Sequence, residues 1–146
     1  EYIKSSEKNI LEALKVSDIV VGAVYVVGKE APRVVLKEMI NEMKPGTVMV
    51  DISIDQGGCF ETSKTTTHDN PTYLINDVVH YCVANMPGSV PLTATEALNE
   101  ATLPFVKDIA NKGLDNSLSE DINLFNGLNL KDNEIVHKSV RESFNL

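Results

Sequence analysis

A chain of 146 residues, 42% hydrophobic and 23% charged, has the size and make-up of one ordinary soluble domain. Such a chain buries roughly two-thirds of the surface its unfolded form exposes. A net charge of −8 offers nucleic acid and anionic lipid no basic field, and no apolar run approaches the eighteen or so residues of a membrane span. We expect neither nucleic acid nor membrane among its partners.

The N-terminus, Glu1-Tyr2-Ile3-Lys4, carries no signal peptide and no Met, which points to a chain whose beginning is missing. Ser6 as N-cap and Glu7 in the first turn predict a helix with Ile10, Leu11 and Leu14 on one face. Ile19 to Val27 is apolar except for Gly22 and Tyr25 and reads as a buried strand. After the loop Gly28-Lys29-Glu30-Ala31, Pro32 suits the first position of a helix. Val35, Leu36, Met39, Ile40 and Met43 then recur at helical spacing, and Lys44-Pro45-Gly46 stops the run. A second buried strand, Thr47 to Ile54, ends in Asp55-Gln56-Gly57-Gly58. Helix, strand, helix, strand is the order of a doubly wound parallel sheet.

The stretch Glu61 to Asn70 is polar and aperiodic, and a loop of that length in a compact domain is functional or pinned by contacts. Tyr73 to Ile75 and Val78 to Ala84 read as two strands joined at Asn76-Asp77, a hairpin turn. Thr93 and Glu96 have the spacing of a capping box. The helix that follows carries Ala97, Leu98 and Ala101 inward. Pro104 marks a kink or a new helix start, and Lys112-Gly113 ends the segment. Val90 to Gly113 therefore reads as a connector spanning domains. Beyond it, Asp121 to Phe125 is a short helix broken by Gly127, and Val136, Val140 and Phe144 suggest a terminal helix.

In open α/β sheets the ligand sits beyond the carboxyl ends of the strands. Asp55 and Asn85 each stand where an apolar strand ends, so they are the polar side chains to place at such a crevice. A carboxylate there can orient a substrate or hold a proton donor, and an amide can donate to a carboxylate or a cofactor amide. The plain alternatives are a polar turn at Asp55 and a turn-capping Asn85 before Met86-Pro87. His80 lies in an apolar strand, where a structural histidine is the commoner case, and His68 lies in a polar loop, where solvation is. Cys59 and Cys82 sit in or beside apolar segments, which suits reduced thiols in a cytoplasmic protein. Together with His68 and His80 they match no compact zinc pattern, so no metal is expected. No G-x-G-x-x-G, P-loop or G-x-S-x-G is present.

Several motifs in register resemble the bacterial alanine dehydrogenases. They are Asp51-Ile52-Ser53-Ile54-Asp55-Gln56-Gly57-Gly58, Thr67-His68-Asp69-Asn70-Pro71-Thr72-Tyr73 and Val83-Ala84-Asn85-Met86-Pro87-Gly88-Ser89-Val90-Pro91. Ala101-Thr102-Leu103-Pro104 and Ala110-Asn111-Lys112-Gly113 continue the match, which weakens after Gly113. The resemblance implies reversible NAD-dependent oxidative deamination of L-alanine to pyruvate and ammonia, commonly by a cytoplasmic hexamer. It implies an α/β fold: residues 1–90 as the second half of a Rossmann-type parallel sheet, and residues 91–146 as the connector and helical C-terminal part of the catalytic domain. By the same resemblance Asp55 is the active-site aspartate beside the nicotinamide and Asn85 faces the substrate. Val24, Tyr25, Ile52, Val83 and Met86, with Asp55, line the cofactor site. Tyr25 departs from the family's usual aliphatic residue, and Val27-Gly28-Lys29-Glu30 departs from its Pro-Gly-Ala-Lys.

The family's glycine fingerprint, ribose-binding acid and catalytic histidine, lysine and arginine would all precede residue 1. His68 and His80 do not match that histidine. A chain covering roughly the last two-fifths of such a subunit is expected to be inactive alone. Two alternatives stay open. One is the NAD-binding subunit of the proton-translocating transhydrogenase, which shares the Gln-Gly-Gly turn but typically lacks Asp55 and the Val-Ala-Asn-Met-Pro-Gly run. The other is a non-catalytic assembly remnant.

Overall fold

A computed structural model describes residues 2–145. Glu1, where the sequence suggests a missing beginning, and Leu146 lie outside the described residues. The chain forms two units, Glu1–Val26 with Glu30–Met86, and Val27–Lys29 with Pro87–Leu146.

In the first unit, helix α1 (Glu7–Val16) starts as expected. The Ser6 hydroxyl accepts from the Asn9 N–H at 3.3 Å, satisfying one of the donors that a helix start leaves over. Leu14 is buried, and Ile10 and Leu11 pack against the same core. Strands β1 (Ile19–Gly22), β2 (Val48–Asp51), β3 (Thr72–Ile75) and β4 (Val78–Tyr81) form a sheet of order β1-β2-β4-β3. β1, β2 and β4 run parallel, with Ile19 opposite Val48 and Val48 opposite Val79, and β3 pairs antiparallel with β4. The core gathers Leu14, Val35, Met39, Ile40, Met49, Phe60 and Val78; fully burying side chains of this size is worth about 1.5–3 kcal/mol each.

Three expectations are corrected here. β1 is not buried on both faces: Ile19 and Val21 are 67% and 57% exposed while Gly22, on the alternate face, is buried, so the core covers this strand on one face only. Both β1 and β2 end earlier than the apolar runs suggest, at Gly22 and Asp51. The segment from Pro32 is not an α-helix. Val35 bridges Phe60 in parallel fashion, and only Lys37–Glu42 forms a 3-10 turn. The cause is competition for the backbone: the Val34 N–H donates to the Cys59 carbonyl at 2.8 Å, and the Glu61 N–H donates to the Val35 carbonyl at 2.9 Å. The apolar stripe still faces the core through Met39, Ile40 and Met43.

The second unit is mainly helical: α2 (Pro91–Lys112), α3 (Leu114–Glu120), α4 (Ile122–Asn126) and α5 (Lys138–Ser143), with the hairpin β5 (Leu130–Lys131) and β6 (Glu134–Ile135). Helix α2 begins at Pro91, behind Val90, with no side-chain cap, so Thr93 and Glu96 form no capping box and lie inside the helix. Pro104 neither ends nor restarts it, since α2 runs unbroken to Lys112. Gly113 ends it at φ 80. Asp121 caps α4 through the Asn123 and Leu124 N–H groups, but Val136 precedes α5 rather than belonging to it. Residues Val27–Lys29 join this unit. Lys29 pairs with Glu142 at 2.7 Å, and the Ser143 hydroxyl donates to the Gly28 carbonyl. Gly28, at φ +69, is closely approached: a Cβ there would stand 3.1 Å from that of Ser139. Among the described residues no helix is long and apolar enough to cross a membrane.

Candidate functional site

The site is built on the carboxyl end of β2. Met49 and Asp51 alternate onto the buried face, so the Asp51 carboxylate must find its partners inside the protein. One oxygen accepts from the Ser53 N–H at 3.0 Å. The other accepts from the Cys59 N–H at 2.8 Å, the Phe60 N–H at 3.3 Å and the Ser63 hydroxyl. Asp51 thereby ties the start of the 3-10 turn Ile52–Gln56 to the chain that follows it, and Asp55 lies on the closed segment. Gly57 and Gly58 leave the turn at φ 90 and 82, a left-handed backbone that glycine adopts without a Cβ clash. From the other side, Arg33 donates to the carbonyls of Gly57, Gly58 and Phe60. The glycine turn is held between a buried carboxylate on the Ser53 and Cys59 amides that flank it and a guanidinium on its own carbonyls.

Beyond Asp51 and Tyr81 the strands part. The β2 chain turns into the 3-10 segment, while the chain after β4 changes partner and bridges Thr66 at Val83. Across this opening the Asn85 N–H donates to Asp55, at 3.1 Å to Oδ1 and 3.4 Å to Oδ2. The two residues placed at strand ends by the sequence are thus brought together. Asp55, however, lies in a 3-10 turn, four residues past its strand. Asn85 adopts φ 53, a left-handed conformation that asparagine tolerates better than most side chains. The His68 ring nitrogen Nε2 lies 3.2 Å from the Asn85 carbonyl oxygen.

Of the other candidates, Val24 is tied to the site by its carbonyl, which accepts from the Ser53 hydroxyl at 2.8 Å. Tyr25 and Ile52 are 64% and 51% exposed, and Ile52 opens the 3-10 turn that carries Asp55. Met86 is half-buried. Val83 is wholly buried, so its side chain belongs to the core and only its backbone is available to a ligand. Asp51, Arg33 and Ser63 were not singled out from the sequence. The legible signal was Asp51 itself, a carboxylate inside an apolar run at the same parity as buried Met49.

The buried polar groups nearby are poor catalysts. His80 has its Nδ1 3.1 Å from the Val78 carbonyl and its Nε2 2.9 Å from the Thr62 hydroxyl, and its ring stacks on Tyr73. Burial lowers its pKa, so it stays a neutral structural histidine. Burial, and then the neighbouring Asp51 charge, push the Cys59 thiol up, which withholds the nucleophilic thiolate. Burial likewise raises Tyr73. Cys59 and Cys82 are free thiols. Among the described residues no group of three or more His, Cys, Asp or Glu could hold a metal ion.

A mainly parallel α/β sheet whose adjacent strands part at their carboxyl ends has the layout of the open α/β class, in which ligands bind beyond those ends. The profile of the family described as "Alanine dehydrogenase/PNT, C-terminal domain" matches residues 1–138, and the chain belongs to that family. It is 53% identical over 135 residues to the alanine dehydrogenase of Halomonas elongata, covering 92% of this chain and 36% of that protein. A solved L-alanine dehydrogenase structure is similar with a TM-score of 0.78 and 45% identity, covering 97% of this chain and 39% of that one. A transhydrogenase structure from Sinorhizobium meliloti shares the fold at a TM-score of 0.68 and 21% identity, over 92% of this chain and 36% of that one. The chain spans under two-fifths of the length of the Halomonas protein.

Proposed function

We propose that these residues form the C-terminal portion of an NAD-dependent alanine dehydrogenase, which interconverts L-alanine with pyruvate and ammonia. In this reading residues 1–90 are the second half of the NAD-binding domain, and residues 91–146 are the connector and the returning part of the catalytic domain. The enzyme is cytoplasmic and homo-oligomeric, a hexamer as in the family the sequence resembles. The observation that carries the reading is the Asn85 N–H bonded to Asp55 across the opened strand ends.

Asp55 and Asn85 meet at the crevice mouth, and the apolar surface of Tyr25 and Ile52 suits the flat face of a nicotinamide ring. Bound NAD supplies the hydride acceptor. The Asp55 carboxylate is the catalytic group, fixing a protonated partner beside that ring. The Asn85 side chain orients the substrate. Val24, Tyr25, Ile52, Val83 and Met86 line the cofactor's place, Val83 through its backbone.

The first test is catalytic. The 146-residue chain assayed alone should form no NADH from alanine. Co-expressed with the part of the Halomonas elongata enzyme that lies outside the matched region, it should restore alanine-dependent NADH formation, and D55N should abolish it. Turnover by the chain alone overturns the claim that it is an incomplete site. A co-purifying but inactive assembly overturns the alanine dehydrogenase reading.

A further inference from the structure

We propose that His68 is a positioning residue of this site, acting on Asn85 through its backbone; the function so positioned rests on the alanine dehydrogenase reading, the clamp itself does not. The two peptide groups that flank the Asn85 Cα are each anchored. The N–H of the first donates to Asp55 at 3.1 Å, and the C=O of the second lies 3.2 Å from His68 Nε2. Rotation about N–Cα moves the first group and rotation about Cα–C moves the second, so holding both fixes φ and ψ together. Asn85 needs such holding, because its φ of 53 is a conformation that L-residues adopt at a cost. With both dihedrals fixed, the direction of the Asn85 Cα–Cβ bond, from which its side chain starts, is fixed as well.

His68 reaches this place by register. Thr66 bridges Val83 in parallel fashion, with the Thr66 N–H donating to the Cys82 carbonyl at 2.9 Å and the Ala84 N–H to the Thr66 carbonyl at 3.2 Å. Two residues further along each chain stand His68 and Asn85, on the same parity as the bridged pair. Behind His68 the loop is closed by the Asn70 N–H on the Thr67 hydroxyl, and ahead of it by the Thr66 hydroxyl on the Pro71 carbonyl. A carbonyl only accepts, so Nε2 carries the proton in this contact. The polar segment Glu61 to Asn70 thus brings a donor to the one carbonyl that completes the hold on Asn85.

The test is amide hydrogen exchange by NMR on the 146-residue chain, with substitutions that separate the hydrogen bond from the bulk of the ring. H68L should speed exchange of the Asn85 amide about five- to tenfold, the loss of one hydrogen bond's restraint, while the amides of Met49 and Val78 keep their protection. H68N, polar but too short to reach, should behave as H68L. H68Q, whose amide nitrogen stands about as far out as Nε2, should stay within about twofold of the unsubstituted chain. In the complemented enzyme, H68L should raise the KM for alanine about tenfold with the KM for NAD little changed, and H68Q should rescue it. Asn85 exchange unchanged in both H68L and H68N overturns the clamp. So does H68Q failing alongside them while Met49 and Val78 stay protected. If the unsubstituted assembly does not oxidise alanine, the functional reading falls and the exchange data still decide the clamp.

Discussion

Asp51 and His80 show what a polar side chain does once it is completely enclosed. Asp51 spends its acceptors on the backbone and hydroxyl donors that fold the chain between Ser53 and Ser63, so its charge serves architecture, while Asp55 is exposed and accepts from the Asn85 amide. His80 sets a pH limit. Its pKa lies below the ordinary 6.5 because burial disfavours the imidazolium, so below that pH the unfolded chain binds the proton more readily than the folded one. The stability it contributes is whole above about pH 6.5 and is lost as pH falls through that value toward the depressed one. Urea unfolding should show a lower midpoint at pH 5.5 than at 7.5, and H80Q should flatten that difference. An equal slope in H80Q would show that other groups carry the pH dependence.

Local propensity and tertiary demand disagree most in the segment after Pro32. The stripe from Val35 to Met43 has helical spacing, yet the carbonyls of Gln56 and Cys59 take the N–H groups of Ala31 and Val34, and an extended backbone wins over the first half. Where local chemistry had no competitor, the sequence was legible: Ser6 and Gly113 cap the helices they suggested. The hairpin between β3 and β4 is the same kind of case. Asn76 and Asp77 lie at φ 49 and 62, the pair of positive angles that a type I′ turn requires, with glycine favoured second. D77G should raise unfolding stability by about 0.5 kcal/mol, relief of the left-handed strain less the added freedom of the unfolded chain. Thermal or urea denaturation measures it, and a loss of stability would mean that the Asp77 side chain has a role in the turn. The β5–β6 hairpin repeats the device at Asp132-Asn133, φ 53 and 66.

At the scale of the molecule, each unit leaves apolar surface open. The outer face of edge strand β1 exposes Ile19 and Val21, and helix α2, none of whose residues is buried, exposes Leu92 at 72% and Leu98 at 65%. An unpaired parallel edge and an uncovered helix face both favour association. Charge of −8 opposes this over long range, but salt screens it beyond roughly 8–10 Å. Sedimentation of the 146-residue chain should therefore show a mass that grows with concentration and with salt, and V21K on the β1 edge should reduce it. A monodisperse monomer across that range would weigh against the incomplete-domain reading.

The sequence by itself determined the parallel α/β class, the Ser6 cap of α1 and the Gly113 end of α2, the hairpin turn and the pairing of Asp55 with Asn85 as site candidates. All of these depend on residues within a few positions of one another or on motifs carried whole along the chain. The tertiary structure decided which polar groups are enclosed and which stay exposed. It enclosed Asp51 and His80, stretched the segment after Pro32 along the glycine turn, set Arg33 against that turn's carbonyls, and brought His68 to the Asn85 backbone. Those outcomes turn on which backbone donor meets which carbonyl across the fold, a competition between distant segments that no local pattern records.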